Sequence, residues 1–412
     1  MFRRNIIDRI REALADTPVV LLNGARQTGK TTLAEELSGE LGGNYLTLDD
    51  ATVLAAATDD PVGFLRRQNG MTVIDEVQKA PGLFPAVKRQ VDSDRKPGRF
   101  LLTGSANVLL LPKMSESLAG RIEIVTLWPF SQGELAGRRE RFIDAVFSAE
   151  MPRMIKVRPA DRDILKCVLT GGYPEAVARS VPERRRAWFG AYITTILQRD
   201  VRDLAHIVGL TDMPRLLSLM AARSGGLLNM SELSRSTGIA HTTLRRYLSL
   251  LETTFLIQLL PAWSTNRSKR LVKSPKLHLI DSGMAAQLSG VMSREHPGDR
   301  QFYGHLLETF VVMELRKQMT WNKTRGSLFY FRTPSGQEVD AVLEDIQGRI
   351  VGIEVKAAAS VGEKDFSGLK ALADLAGKKF YRGIVLFDGD AAVPFSDRFA
   401  AMPTSALWRA LG

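Results

Sequence analysis

A single cysteine, Cys167, stands among 412 residues, so the chain holds no internal disulfide framework and no metal site built from several cysteines. Long apolar runs are missing as well. No stretch reaches the roughly 18 consecutive apolar residues that a membrane-spanning helix needs, which predicts a protein without membrane association. The opening segment MFRRNIIDRIREALAD is basic but lacks the continuous apolar centre of a secretory signal, and reads instead as a short amphipathic helix. No lipidation motif offers another route to a membrane. Together these absences make the cytoplasm the expected location.

Hydrophobic residues at 44% and charged residues at 25% are ordinary values for a folded protein. The length exceeds what one hydrophobic core serves, which predicts two or three domains. The formal net charge is +11, and its distribution is uneven. Residues 1–150 hold 19 Lys+Arg against 20 Asp+Glu, residues 151–265 hold 16 against 9, and residues 266–412 hold 21 against 16. The basic excess therefore lies wholly beyond the first 150 residues. Such a surface either meets a polyanion or is a solvated basic face, and the motifs below favour the polyanion.

The apolar run PVVLLN (18–23) has the composition of a buried parallel strand. It leads directly into Gly24-Ala25-Arg26-Gln27-Thr28-Gly29-Lys30-Thr31, a full GxxxxGK[ST] pattern, and then into a helical stretch beginning at Thr31-Thr32. The glycines let a loop fold back so that its amides face a phosphate, and the helix N-terminus adds partial positive charge at the same point. Residues 24–32 are thus the expected ATP-binding segment, with Lys30 on the β and γ phosphates and Thr31 on magnesium.

A second buried run, MTVI (71–74), ends in Asp75-Glu76. An acid at the tip of a strand beside the phosphate loop suits magnesium, and a second acid directly after it suits polarisation of an attacking water. Asp75 takes the first role and Glu76 the second, a pairing that predicts hydrolysis rather than binding alone; the alternative is a strand ending in two solvated acids. A third run, 99–102, leads into Thr103-Gly104-Ser105-Ala106-Asn107, where Asn107 is a candidate sensor of the γ-phosphate. Arg121 is either an arginine finger acting on a neighbouring subunit of a homo-oligomer or a surface arginine.

The segments GARQTGKTTL (24–33), YLTLDD (45–50), VIDEVQKAP (73–81), FLLTGSAN (100–107), SLAGR (117–121) and TGGYPEAV (170–177), with Gln198-Arg199-Asp200, cover most of the chain. This series resembles one family of AAA-type P-loop ATPases whose C-terminal domain, of unknown function, is similar to a restriction-type nuclease. The resemblance implies a parallel sheet flanked by helices, with Asp75 and Glu76 as the Walker B acids. It implies no particular substrate.

Residues 151–225 read as a helical lid with arginine clusters such as Glu183-Arg184-Arg185-Arg186. Beyond them, MSELSRSTG (230–238) and AHTTLRRYLSLLE (240–252) form a helix, a glycine turn and a second helix. Leu244, Tyr247, Leu248 and Leu251 share one face of the second helix, leaving His241, Thr242, Thr243, Arg245 and Arg246 nearer solvent, the composition of a recognition helix. FLIQLLPAW (255–263) and KRLVKSPKLHLID (269–281), joined by Ser264–Ser268, predict a hairpin wing with Arg267, Lys269, Arg270 and Lys273 available to phosphates. The alternative is that these helices pack on the ATPase or mediate oligomerisation.

The last quarter carries Glu308 in GHLLETFVVMELRKQ, Asp340 in QEVDAVLE, and Glu354 with Lys356 in IVGIEVKAA. Glu354 and Lys356 stand two apart in a strand and leave the same face. Asp340 follows a hairpin turn at Ser335-Gly336, and fourteen positions separate it from Glu354, room for an adjacent antiparallel strand. This set suits magnesium-assisted phosphodiester hydrolysis: Asp340 and Glu354 hold the metal, Lys356 orients water or stabilises developing charge, and Glu308 completes the outer shell. It resembles the PD-(D/E)XK nuclease core, although Glu338-Val339 precedes Asp340 in place of the pattern's proline.

The expected architecture is an α/β multidomain protein: a P-loop parallel sheet with flanking helices (1–150), a helical lid with a winged helix-turn-helix (151–275), and an α/β restriction-nuclease-like domain (276–412). The expected function is ATP binding and hydrolysis in association with nucleic acid, DNA above RNA, with metal-dependent cleavage as a second activity. The alternative is a nucleotide-switched regulator binding DNA or protein, its nuclease-like domain catalytically silent.

Overall fold

A computed structural model of the protein describes residues 2–105, 118–152, 163–201, 212–291 and 297–409. The chain divides into two compact units. Arg4–Pro129 with Ser249–Leu256 form one, and Phe130–Leu248 with Ile257–Gly412 form most of the other.

The first unit is built on five strands: β1 (Val19–Asn23), β2 (Asn44–Thr47), β3 (Thr72–Asp75), β4 (Phe100–Gly104) and β5 (Ile122–Thr126). They are all parallel, in the order β2-β3-β4-β1-β5. Val19, Val20, Leu21 and Leu22 are all fully buried, which is why β1 reads as an unbroken apolar run: helices cover both faces of a parallel sheet. The helix Leu83–Ser93 supplies part of that cover. Its Leu83, Phe84, Val87 and Val91 join Val19, Leu21, Ile74, Phe100 and Leu102 in one core. Ile7–Asp16 forms the amphipathic helix expected of the opening segment, burying Ile7, Ile10, Ala13 and Leu14.

In the second unit, helices Ile164–Thr170, Pro182–Thr195, Met213–Ala221 and Met230–Thr237 precede a two-stranded antiparallel ribbon, β6 (Ile257–Leu260) and β7 (Lys276–Leu279). Gln198, Arg199 and Asp200 fall in a π-helical turn, Ile196–Val201. The helix His241–Thr253 buries Leu244, Tyr247, Leu248 and Leu251 and exposes His241, Thr242, Arg245 and Arg246, the division its apolar spacing predicts.

The connection between β6 and β7 differs from the expected turn at Ser264–Ser268. It contains a helix, Arg267–Val272, started by Asn266, whose side chain accepts from the amides of Ser268 at 3.0 Å and Lys269 at 3.4 Å. An asparagine whose oxygen satisfies two first-turn donors is a strong helix start, and it wins over the hairpin turn.

The remaining sheet has six strands in the order β12-β13-β11-β10-β9-β8: β8 (Gly326–Arg332), β9 (Glu338–Asp345), β10 (Ile350–Lys356), β11 (Phe380–Phe387), β12 (Val393–Pro394) and β13 (Phe399–Pro403). The β8-β9 and β9-β10 pairs are antiparallel, whereas β10-β11 and β11-β13 are parallel, so the sheet is mixed. The turn at 333–337 closes the β8-β9 hairpin, with Gly336 at a positive φ of 91°. Helix Ser367–Ala376 packs Leu369 and Leu372 into a core with Val339, Val342 and Ile350. Gly368 brings that helix against β9 closely: a Cβ there would lie 1.9 Å from the Glu338 carbonyl oxygen.

Candidate functional site

Strand β1 ends at Asn23 and the chain turns back on itself through residues 24–29 before helix Lys30–Leu41 begins. Three positions in the turn have positive φ: Gly24 at 150°, Gln27 at 59° and Gly29 at 92°. Gly24 is fixed by space as well, since a Cβ would stand 2.2 Å from the Leu127 carbonyl oxygen. Gly29 takes the cap position of the helix without a side chain to satisfy it, so no residue's own oxygen stoppers the first turn. First-turn amides left in this way, together with the helix dipole, attract a phosphate.

Lys30 is buried, and its Nζ donates to the carbonyl oxygens of Gly24 at 3.0 Å and Ala25 at 2.8 Å. The Thr28 hydroxyl also donates to Ala25, at 2.9 Å, tying the loop to itself. Arg26 is half-buried on the loop, while Thr32 is exposed on the first turn of the helix.

Strand β3 delivers Asp75 to the mouth of this loop. Its Oδ2 accepts from the Thr31 hydroxyl at 3.0 Å and from the Tyr45 hydroxyl at 3.0 Å, and its Oδ1 accepts from the Thr103 hydroxyl. A hydroxyl and a carboxylate held side by side next to a phosphate loop are a donor set that fits magnesium. Burial, reinforced by Asp75, pushes the Tyr45 phenol above its ordinary pKa.

Glu76 follows in a left-handed conformation, φ 57°. Its amide donates to the Thr103 hydroxyl at 3.1 Å. Its Oε2 accepts from the Gln78 amide and from the Ser105 hydroxyl at 3.3 Å. Tyr45 and Gln78 carry contacts that sequence reasoning did not assign, although both sit inside the segments YLTLDD and VIDEVQKAP.

Two expected nucleotide contacts are not joined to this group. Asn107 lies outside the described residues. Arg121 directly precedes β5, at the edge where β1 starts rather than where it ends, since Val19 pairs with Ile122. Five residues of strand put that edge about 16 Å from the loop, and the Arg121 side chain is taken by Asp92 and the Ala119 carbonyl oxygen. Arg121 therefore does not serve the nucleotide site of its own chain.

A second polar cluster forms in the other unit. Ile353 pairs with Ala341, which brings Glu354 of β10 and Asp340 of β9 to the same part of the sheet. Asp340 lies near the start of β9, just after the turn at 333–337, and the strand runs on to Asp345. Its Oδ2 accepts from the Val355 amide at 2.9 Å. Glu354 Oε1 accepts from Lys356 Nζ at 2.9 Å, whereas Oε2 is buried with no hydrogen-bond partner among the described residues. Burial, aided by the nearby Asp340, pushes the Glu354 carboxyl up to about 8.

Lys276, on β7, is the residue sequence reasoning missed. Its buried Nζ lies 2.7 Å from Glu308, 2.5 Å from Glu338 and 3.2 Å from Asp340. Burial opposes its charge, but Glu308, Asp340 and Glu338 outweigh that and hold the ammonium above its ordinary pKa. Its signal was a lysine inside an apolar strand, a position that demands a partner.

Glu308, expected to complete a metal's outer shell, neutralises Lys276 instead. Among the described residues no three His, Cys, Asp or Glu side chains are grouped to hold a metal ion. Arg270, expected to meet phosphates, is likewise occupied: it pairs with Glu344 at 2.6 Å and donates to the Ser264 carbonyl at 2.6 Å. Arg267, Lys269 and Lys273 remain exposed.

Residues 16–136 match the family model described as an AAA domain. Residues 161–295 and 303–407 match two models described as domains of unknown function, DUF8612 and DUF4143. Uncharacterised proteins of Mycobacterium bovis and Mycobacterium tuberculosis are each 35% identical over 405 residues, which is 98% of this chain and 84% of theirs. Among solved structures, a Walker-type ATPase of Pyrococcus abyssi superposes with a TM-score of 0.43 at 15% identity, over 70% of this chain and 96% of that one. The AMPPCP-bound DnaA of Aquifex aeolicus gives 0.30 at 15% identity, over 60% and 86%. No described helix is long and apolar enough to cross a membrane.

Proposed function

The chain belongs to the family of these mycobacterial proteins and carries an AAA-type P-loop ATPase domain, and on that premise we propose that it hydrolyses ATP in association with nucleic acid, DNA above RNA. The observation that carries the ATPase half is the meeting of the Thr31 hydroxyl with Asp75, beside a buried Lys30 and ahead of Glu76. Lys30 leaves the Gly24 and Ala25 carbonyl oxygens for the β and γ phosphates, and the loop amides orient them. Glu76 orients the attacking water and takes its proton as the bond from the γ-phosphorus to the bridging oxygen breaks and ADP leaves. Magnesium, held by Thr31 and Asp75, supplies charge neutralisation on the phosphates.

Support for the nucleic-acid half comes from the basic excess beyond residue 150, from exposed Arg245 and Arg246 on helix His241–Thr253, and from exposed Arg267, Lys269 and Lys273 between β6 and β7, a region we read as a winged helix-turn-helix with an insertion in its wing. Phosphate release measured with and without DNA and RNA tests this half. A rate raised by nucleic acid supports it, and a rate indifferent to both, with no binding, overturns it.

For the C-terminal sheet we favour a nuclease-like core. The buried, unpartnered Oε2 of Glu354 favours a cleaving site, while the engagement of Asp340 and Glu308 by Lys276 favours a catalytically silent platform in a nucleotide-switched regulator. Wild type and Asp340→Ala on labelled DNA and RNA in Mg²⁺ or Mn²⁺, with and without ATP, separate them: cleavage lost in the variant selects the first, and binding without cleavage selects the second.

A further inference from the structure

Gln78 lies in the single 3₁₀ turn, Val77–Lys79, that follows β3 and Glu76. Its Nε2 donates to Glu76 Oε2 and, at 2.9 Å, to the Ser105 hydroxyl, which itself donates to the same Glu76 oxygen at 3.3 Å. The three side chains close a ring, and both contacts to the carboxylate fall on Oε2. The Oε1 of Gln78 is buried with no hydrogen-bond partner among the described residues. A buried amide oxygen left in this way costs stability. Turning the amide over would set that carbonyl oxygen against Glu76, and a carboxylate only accepts. Gln78 therefore keeps its donor on Glu76 while its own acceptor goes unmet.

We propose that Gln78 is the positioning residue for the catalytic carboxylate: its amide, with the Ser105 hydroxyl, fixes Glu76 by Oε2 and presents Oε1 to the water that attacks the γ-phosphate. The proposal deepens the ATPase reading and rests on Glu76 as the base. Glu76 needs such a hold. It stands one position past the end of β3, at φ 57°, and a glutamate side chain has several rotatable bonds to settle. Its main chain is steadied from the same side, since its amide donates to the Thr103 hydroxyl at 3.1 Å. Thr103 belongs to the end of β4 and Ser105 follows that strand directly, so one strand tip holds the backbone of Glu76 and, with Gln78, its side chain. The bonds of Gln78 go to Glu76 and Ser105, not to the phosphate and metal ligands Lys30, Thr31 and Asp75. Its loss therefore slows the chemical step and spares nucleotide binding. A reacting group displaced by about 1 Å slows a reaction on the order of 100-fold.

The test measures kcat and KM for phosphate release from ATP, beside ATP affinity, in wild type, Gln78→Met, Glu76→Gln and the double variant. Methionine keeps the length of the side chain and removes the donor. If Gln78 positions Glu76, kcat falls by about tenfold or more in Gln78→Met, with ATP affinity within about twofold of wild type. The residual rate of Glu76→Gln then changes by less than about twofold when Gln78→Met is added, because Gln78 acts only through Glu76. A merely structural part would slow both backgrounds alike. Unchanged kcat, a matching loss of ATP affinity, or an equal fall in the two backgrounds overturns the inference. Should Gln78→Met fail to fold, Ser105→Ala takes its place. A fall in kcat of about threefold or more is expected beside Glu76 and none beside Glu76→Gln, and the same results overturn it. Wild type that binds ATP without turnover overturns the ATPase reading and this inference with it. Turnover slowed in Glu76→Gln but kept in Gln78→Met overturns the inference alone.

Discussion

The Thr31 hydroxyl donates to the Asp75 carboxylate across 3.0 Å, although 44 positions separate the two residues. The parallel sheet makes this contact: β1 and β3 both end at the same edge, flanking β4, and the helix that begins at Lys30 brings Thr31 over the tip of β3. If the pair holds magnesium, Thr31→Ala lowers affinity for ATP in the presence of the metal by roughly 5- to 150-fold, for a lost ligand contact worth about 1–3 kcal/mol. Titration with a fluorescent ATP analogue, with and without Mg²⁺, checks it. An effect of equal size without the metal assigns Thr31 to the phosphates instead.

Arg245 and Arg246 are exposed on helix His241–Thr253. Replacing both with Ala is expected to change folding stability by no more than about 0.5 kcal/mol per site. DNA affinity falls, and the slope of log affinity against log salt becomes shallower by up to about 2. Binding isotherms at several salt concentrations decide it, and unchanged affinity and slope remove this helix from the interface.

Glu140 titrates in a buried site. Burial, then the nearby Glu314, pushes its carboxyl up to about 7, while its Oε1 accepts from the Gly133 amide at 2.7 Å. A carboxyl raised on folding binds more protons in the folded than in the unfolded chain. Its contribution is therefore fully present below the unfolded pKa, near 4.5, and is lost as pH rises through about 7. Glu140→Gln keeps the acceptor and removes the titration. Denaturant unfolding from pH 4.5 to 8 should show a decline in wild type that flattens in the variant, by an amount on the order of 3 kcal/mol. Parallel curves refute this.

Gly368→Ala places a methyl group where the Glu338 carbonyl oxygen stands. The clash is with backbone, so the helix Ser367–Ala376 must lift from β9. Destabilisation of about 1–3 kcal/mol or more is expected, read from the denaturant midpoint. A midpoint equal to wild type would show that the seam has slack.

Much of this arrangement was legible in the sequence because local chemistry and global position agree there. The strand–loop–helix order around Lys30, the acids closing β3, and the two-residue spacing of Glu354 and Lys356 each follow from short-range pattern. Lys276, Tyr45 and Gln78 were not legible, because each acts on a residue brought near by sheet order or by a neighbouring backbone turn. Lys276 and Glu308 are 32 positions apart and lie on different elements. The helix Arg267–Val272 was hidden for a different reason: Asn266 also suits a turn, and only the bonds it makes reveal a cap. Of the two readings of Arg121, its pairing with Asp92 fits the surface arginine, and the part of a finger on a neighbouring subunit is untouched by its place in its own chain.

Phosphate release from ATP, measured beside nucleotide binding for wild type, Lys30→Ala and Glu76→Gln, tests the central claim most directly. The account predicts turnover by wild type, loss of binding or turnover in Lys30→Ala, and retained binding with hydrolysis slowed about 100-fold or more in Glu76→Gln. Hydrolysis unchanged in Lys30→Ala would contradict the phosphate-loop assignment. Equal loss of binding and hydrolysis in Glu76→Gln would return Glu76 to a structural part.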